Sequence, residues 1–221
     1  MQTMIVAIIP AYNEGKLVGQ VIEKTKEFVD KVIVIDDGSK DNTYSTAMQA
    51  SPDILIRHPI NGGKGLALQT GFEAAFELNP SIIITIDADL QHDPNDIPRL
   101  VEALKDADIV IGARSMNNQM PGIFKFGNRF LCKMFNLFFN NKLKDPQSGL
   151  RAFRGEIYNH IRWESTGYFV ETEMLANACK NGIRCKEIKI ATRYLDKYKG
   201  TTVIDGITIF LHMIYWRIKQ W

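Results

Sequence analysis

Four short runs of this chain carry almost no polar side chain, and each ends abruptly in charged or hydrogen-bonding residues. They span residues 4–10, 32–35, 82–86 and 109–112. Runs this short, apolar throughout and rich in isoleucine and valine read as strands covered on both faces. Residues 54–57 read as a further, shorter strand. The intervening stretches have helical spacing. Residues 14–29 place Leu17, Val18, Val21, Ile22 and Phe28 on one side, Asp41-Asn42-Thr43 looks like a helix start, and residues 66–78 and 94–104 continue the pattern. Regular strand–helix alternation predicts an α/β fold, a mostly parallel sheet with helices on both faces. In such a sheet ligands gather at the carboxyl ends of the strands. The polar clusters fall there: Tyr12-Asn13-Glu14, Asp36-Asp37, Asp87 to Gln91, and Arg114.

The strongest of these is Asp87-Ala88-Asp89-Leu90-Gln91, directly behind Ile82-Ile83-Ile84-Thr85-Ile86. Carboxylates at i and i+2 of a continuing strand point to opposite faces. Where the strand breaks into a loop they can converge with Gln91 on one hard cation, and oxygen donors of this kind suit Mg²⁺ or Mn²⁺. The bland alternative is a solvated loop whose acids cap the next helix, as His92-Asp93-Pro94 also allows. Pro10 and Tyr12 lead into Glu14, which would either accept hydrogen bonds from a ribose or base or favour a helix start through the macrodipole. Asp37, in Asp36-Asp37-Gly38-Ser39, offers the same choice between ligand contact and turn. Asn61-Gly62-Gly63-Lys64-Gly65 departs from the P-loop pattern, so Lys64 is a phosphate contact only in company.

Bulk properties exclude several classes. The 221 residues are 45% hydrophobic and 24% charged, with a formal net charge of +2, so the whole-chain balance does not argue for nucleic acid. Three cysteines, Cys132, Cys179 and Cys185, form no CxxC pair, which fits a reduced, cytoplasmic setting and argues against zinc. No signal peptide is expected, and the uncharged stretch 206–216 is too short to cross a bilayer. Charge is nonetheless uneven. Between Asp108 and Asp145 there is no acid but six bases, Arg114, Lys125, Arg129, Lys133, Lys142 and Lys144. Such a stretch offers itself to an anion, and Arg114 and Arg129 could fork onto a phosphate, although a solvated basic face is the usual fate of arginines. Residues 123–139 form an amphipathic pattern with Lys125, Arg129 and Lys133 spaced by four. The tail 203–221 repeats the pattern with Ile204, Ile207, Leu211, Ile214, Tyr215 and Ile218, followed by Arg217 and Lys219 between Trp216 and Trp221. Both suit interfacial helices. Asp145-Pro146-Gln147-Ser148-Gly149 reads as a turn.

Taken together and in order, Pro10-Ala11-Tyr12-Asn13-Glu14, Asp36-Asp37-Gly38-Ser39, Gly63-Lys64-Gly65, Asp87 to His92, Gly112-Ala113-Arg114 and Asp145 to Gly149 resemble the family 2 inverting glycosyltransferases of GT-A fold. Within them the chain looks most like the dolichyl- or polyprenyl-phosphate sugar synthases. The resemblance covers about residues 3–202. It implies a Rossmann-like GT-A domain over residues 1–195, an acceptor- and membrane-facing segment at about 120–144, and an amphipathic tail over 196–221. It further implies a nucleotide-sugar donor (GDP-mannose, UDP-glucose or UDP-N-acetylglucosamine) and a polyprenyl phosphate acceptor. The enzyme would sit peripherally at the cytoplasmic face of a membrane. By motif position Pro10, Tyr12 and Glu14 would line the nucleoside pocket with Asp37 at the base. Lys64 would assist the donor, Asp87 would lie near ribose and diphosphate, and Asp89 and Gln91 would join it on Mg²⁺ or Mn²⁺. Arg114 and Arg129 match positions that hold the acceptor phosphate.

Relatives often carry a Gly-x-Ser-Lys element where this chain has Gly200-Thr201-Thr202-Val203, leaving Arg193, Lys197 or Lys199 as substitutes. Two other functions remain open. A family member acting on a sugar hydroxyl would need a base, for which Glu171 or Glu173 is the candidate. A non-catalytic nucleotide-binding subunit is disfavoured by the intact carboxylate motif.

Overall fold

The computed structural model describes residues 3–114, 122–167, 169–191 and 203–219, with only the backbone course given for 122–126 and 203–205. Seven strands form one sheet: β1 (Ile5–Ala11), β2 (Lys31–Asp36), β3 (Ile54–Arg57), β4 (Ile82–Thr85), β5 (Ile109–Arg114), β6 (Arg151–Arg154) and β7 (Cys185–Ile190). Their order across the sheet is β3-β2-β1-β4-β6-β5-β7. Every neighbouring pair is parallel except those of β6, which runs antiparallel to both β4 and β5.

Alternate side chains feed two cores, as a strand's period of two requires. Ile8, Ile33, Ile35, Ile83, Ile109, Ile111 and Phe153 point to one face. There they meet α3 (Lys64–Phe76), α5 (Gly122–Phe139), α6 (Tyr158–Ile161), α7 (Val170–Lys180) and α8 (Val203–Lys219). Ala7, Ile9, Val32, Val34, Ile84 and Val110 point to the other, under α1 (Val18–Lys26), α2 (Thr43–Gln49) and α4 (Ile97–Ala103). The first core is aromatic at its centre, where the Phe72 ring stacks on Tyr158 at 5.0 Å and meets Trp163 and Phe153 edge-on.

The alternating pattern expected for residues 4–112 is present, with boundary shifts. The helix expected from residue 14 starts at Val18, because residues 12–15 first cross over to the β2 end. Strands β6 and β7 carry none of the apolar runs that mark the others. β6 reads Arg-Ala-Phe-Arg, and β7 is an edge strand whose residues are mostly part-exposed.

The two amphipathic helices pack on one another and on α7. Phe130 and Phe138 of α5 meet Phe210 of α8, and Phe169, just ahead of α7, stacks on His212 at 4.2 Å. Ile209, Met213 and Trp216 thereby enter the first core. The opposite stripe of α8, Ile207, Leu211, Tyr215 and Ile218, stays 54–74% exposed. No helix among the described residues is long and apolar enough to cross a membrane.

Candidate active site

The carboxyl ends of β1, β2, β4 and β5 open on one rim. Two further segments reach it for topological reasons that spacing alone does not reveal. Because β6 is antiparallel, the segment leading into it lies over the ends of β4 and β5, with Arg151 in register with both Thr85 and Ile111. The Thr85 hydroxyl donates to the Gly149 carbonyl at 2.8 Å. A β-carbon on Gly149 would fall on the Asp87 carboxylate, so glycine is needed for this approach. The first turn of α7 brings Glu171 to the same place.

Asp87 sits at the centre. Lys64 Nζ lies 2.6 Å from Asp87 Oδ1 and 2.6 Å from Glu171 Oε1. Burial works to lower the Lys64 pKa, but the charges of Asp87 and Glu171 outweigh it and raise it. Burial pushes Asp87 up, while Lys64, His92 and Arg114 together hold it below the usual carboxylate range. For Asp89 the balance falls the other way, although Lys64 acts on it too. Burial and the neighbouring Asp87 charge push it up to about 6, although its side chain accepts from the Gln91 backbone N–H at 3.0 Å. His92 is buried, and burial lowers it to about 4, so it is neutral near pH 7. Its Nε2 lies 3.3 Å from Ser148 Oγ, and its Nδ1 makes no hydrogen bond although it lies 3.8 Å from Asp87 Oδ2.

Among the described residues no three His, Cys, Asp or Glu side chains converge as a ready-made metal cage. The donor chemistry nevertheless fits a hard divalent cation. Asp87 and Asp89 are two half-buried carboxylates, and the charge of one penalises ionisation of the other, the condition a cation relieves. Lys64 occupies one oxygen of the pair.

The remaining expected residues divide. Pro10 is buried within β1, and Tyr12 is exposed at the rim. Glu14 begins the turn into α1, its backbone N–H donating to Thr43 Oγ1 at 2.7 Å. Asp37 is buried and accepts from the Gly62 and Gly63 amides at 2.9 and 2.8 Å, with His58 Nδ1 at 2.7 Å. It therefore shapes the turn that launches α3, where Gly63 has φ +90°. Arg114 forks onto Asp145, Nε to Oδ2 at 2.7 Å and a terminal nitrogen to Oδ1 at 2.9 Å. The turn at 145–149 is thus pinned to the β5 end, and Arg114 reaches a phosphate only from within that pair. Arg129 and Lys133 lie exposed on α5. The side chain of Lys125, and Arg193, Lys197, Lys199 and the Gly200–Thr202 element, lie outside the described residues.

Two residues stand out beyond the expected site: Arg151, which no local pattern marks, and Asp145, which read only as part of a turn. Arg151 is fully buried and donates to the carbonyls of Ser148 (2.8 Å), Pro146 (2.8 Å) and Glu171 (2.9 Å). Asp145 fixes Arg114 and is itself held through its N–H by Glu187. Of the two candidate bases, Glu173 is committed to the backbone N–H groups of Glu164 and Ser165 and to the Ser165 hydroxyl. Glu171 alone faces the site.

A parallel sheet interrupted by one reversed strand, with paired carboxylates and a lysine at its carboxyl rim, defines the GT-A class of nucleotide-sugar-dependent folds. Comparison agrees. The model of Glycosyl transferase family 2 matches residues 6–162, and the chain belongs to that family. The chain is 33% identical over 238 residues to the UDP-N-acetylglucosamine–dolichyl-phosphate N-acetylglucosaminyltransferase of Methanococcus voltae, covering 96% of this chain and 95% of that one. It is 28% identical over 229 residues to the dolichol-phosphate mannosyltransferase of Pyrococcus furiosus, covering 97% of this chain and 63% of that protein. Among solved structures, glucosyl-3-phosphoglycerate synthase of Mycobacterium tuberculosis with Mg²⁺ and uridine diphosphate superposes with TM-score 0.77 at 21% identity, over 99% of this chain and 79% of that one. This last likeness is one of fold.

Proposed function

We propose that the chain moves a sugar from a nucleotide-sugar donor to a polyprenyl (dolichyl-type) phosphate at a membrane surface, by in-line displacement with inversion at the anomeric carbon. One observation carries this reading. α8 keeps an exposed apolar stripe and packs through its other side on α5, on which Arg129 and Lys133 are exposed. A surface both apolar and basic matches an acceptor that is a lipid with a phosphate head. The named relatives that use dolichyl phosphate support it.

Asp87, Asp89 and Gln91 would hold Mg²⁺ or Mn²⁺. When bound, the cation neutralises charge on the diphosphate leaving group. Pro10, Tyr12 and Glu14 would border the nucleoside, and Asp37 would act there through the turn it organises. Arg114 and Arg129 would face the acceptor phosphate, Arg114 held in place by Asp145. The attacking oxygen belongs to a phosphate monoester, whose second pKa near ~6 leaves it mostly ionised at neutral pH, so no general base is required. A neutral, buried His92 and a fully engaged Glu173 accord with that.

The test is product chemistry. With labelled GDP-mannose, UDP-glucose and UDP-N-acetylglucosamine, label should move into an organic-extractable, mild-acid-labile ester. Arg129→Ala should raise KM for lipid phosphate more than for donor. Transfer to a soluble sugar hydroxyl that is lost in Glu171→Gln would instead establish the hydroxyl-acceptor reading, with Glu171 as base. The position of Glu171 at the rim is what keeps that reading in play.

A further inference from the structure

Lys64 competes directly with any cation at the carboxylate pair. Its Nζ lies 2.6 Å from Asp87 Oδ1, so a metal taking that oxygen must displace it or share it. The lysine also has a second partner at the same distance, Glu171 Oε1, on the opposite element. It can release Asp87 without becoming an unpaired buried ammonium, a state that would be strongly disfavoured. It also stands one residue beyond the glycine pair whose amides are held by Asp37. The segment lining the proposed nucleoside pocket and the lysine on Asp87 are therefore one continuous turn.

We propose that Lys64 is a built-in counter-cation, a positioning residue that holds Asp87 while the metal is absent. On donor binding it withdraws towards Glu171 and the diphosphate, and Asp87 passes to the metal. This rests on the metal-dependent reading above. It makes nucleotide and metal binding mutually reinforcing, and by linkage the reinforcement is the same in both directions.

Calorimetric titration of Mn²⁺ into the full chain, alone and with UDP or GDP, tests it without turnover. Lys64→Met should bind Mn²⁺ alone about tenfold more tightly than wild type, in the range of ordinary site–site coupling. Glu171→Gln should weaken Mn²⁺ binding, because Lys64 then has nowhere to retire, and that effect should vanish in the Lys64→Met background. The double variant also removes the lysine together with one of its carboxylates, which keeps the measurement available if Lys64→Met folds poorly. Unchanged Mn²⁺ affinity in both lysine variants overturns the proposal, as does an equal Glu171→Gln penalty in both backgrounds, which would make Glu171 a ligand. If no protein takes up Mn²⁺ even with UDP or GDP, the metal-dependent reading itself fails.

Discussion

Arg151→Met is the most demanding test of how the rim is held together. The side chain is 1% exposed, forms no ion pair within 4 Å among the described residues, and instead satisfies three backbone carbonyls, those of Pro146, Ser148 and Glu171. Methionine matches the apolar stem and removes every donor. Each carbonyl left unpaired and buried costs about 1–3 kcal/mol, while relief from burying a charge offsets part of the sum. A net loss of about 3 kcal/mol follows, which in a domain of this size lowers Tm by roughly 6–12 °C. Arg151→Lys keeps the charge but cannot span three acceptors with one ammonium, so it should recover less than half of the loss. Thermal and urea unfolding followed by circular dichroism measure both. A Tm within 2 °C of wild type for Arg151→Met would show that water or a rearranged loop serves those carbonyls equally well, and the rim would not depend on the guanidinium.

Gly149→Ala should leave Tm within a few degrees yet abolish most transfer, since its methyl displaces the Asp87 carboxylate; steady-state assays beside a melting curve separate the two effects. Asp89 and His92 should give opposite pH signatures. Asp89 is raised to about 6, so its cost is absent below the ordinary carboxyl range near 3.8 and fully present above 6. His92 is lowered to about 4, so its cost is absent above 6.5 and fully present below 4. The two offset one another in wild type. Asp89→Asn should therefore lose stability more steeply than wild type as pH falls from 6.5 to 4, and His92→Gln less steeply, in Tm measured against pH without metal. Leu211→Glu with Ile218→Glu should leave Tm unchanged, because both side chains are exposed, but should prevent flotation with anionic liposomes.

The parts of this architecture written locally are the parts that could be read. Strands β1, β2, β4 and β5 are buried on both faces and therefore apolar throughout, and the acids behind them mark the rim without any knowledge of pairing. β6 escaped because its buried arginine is satisfied by carbonyls of the turn just before it and of the first turn of α7, which no local pattern records. β7 escaped because an edge strand need not be apolar. The same applies to the site. The expected cation ligands Asp87, Asp89 and Gln91 fall within five residues. Lys64 meets Glu171 across 107 positions, and Arg114 meets Asp145 across 31, as an intramolecular fork in place of the open phosphate contact that its basic surroundings imply. Asp37 likewise gave no sign that its oxygens are spent on the turn at Gly62 and Gly63.

The reversal of β6 also bears on how such an enzyme can diversify. β5 ends at the rim with Arg114, and β6 begins at the same rim with Arg151. The two ends of the intervening stretch meet at this one edge, joined by the Arg114–Asp145 fork. On the exposed side of α5, composition can change without touching a strand register or the Gly149 approach to Asp87. The intervening segment, α5 included, behaves as an exchangeable cassette. Grafting it between relatives should swap what is recognised outside the sheet and leave the carboxylates at the strand ends untouched.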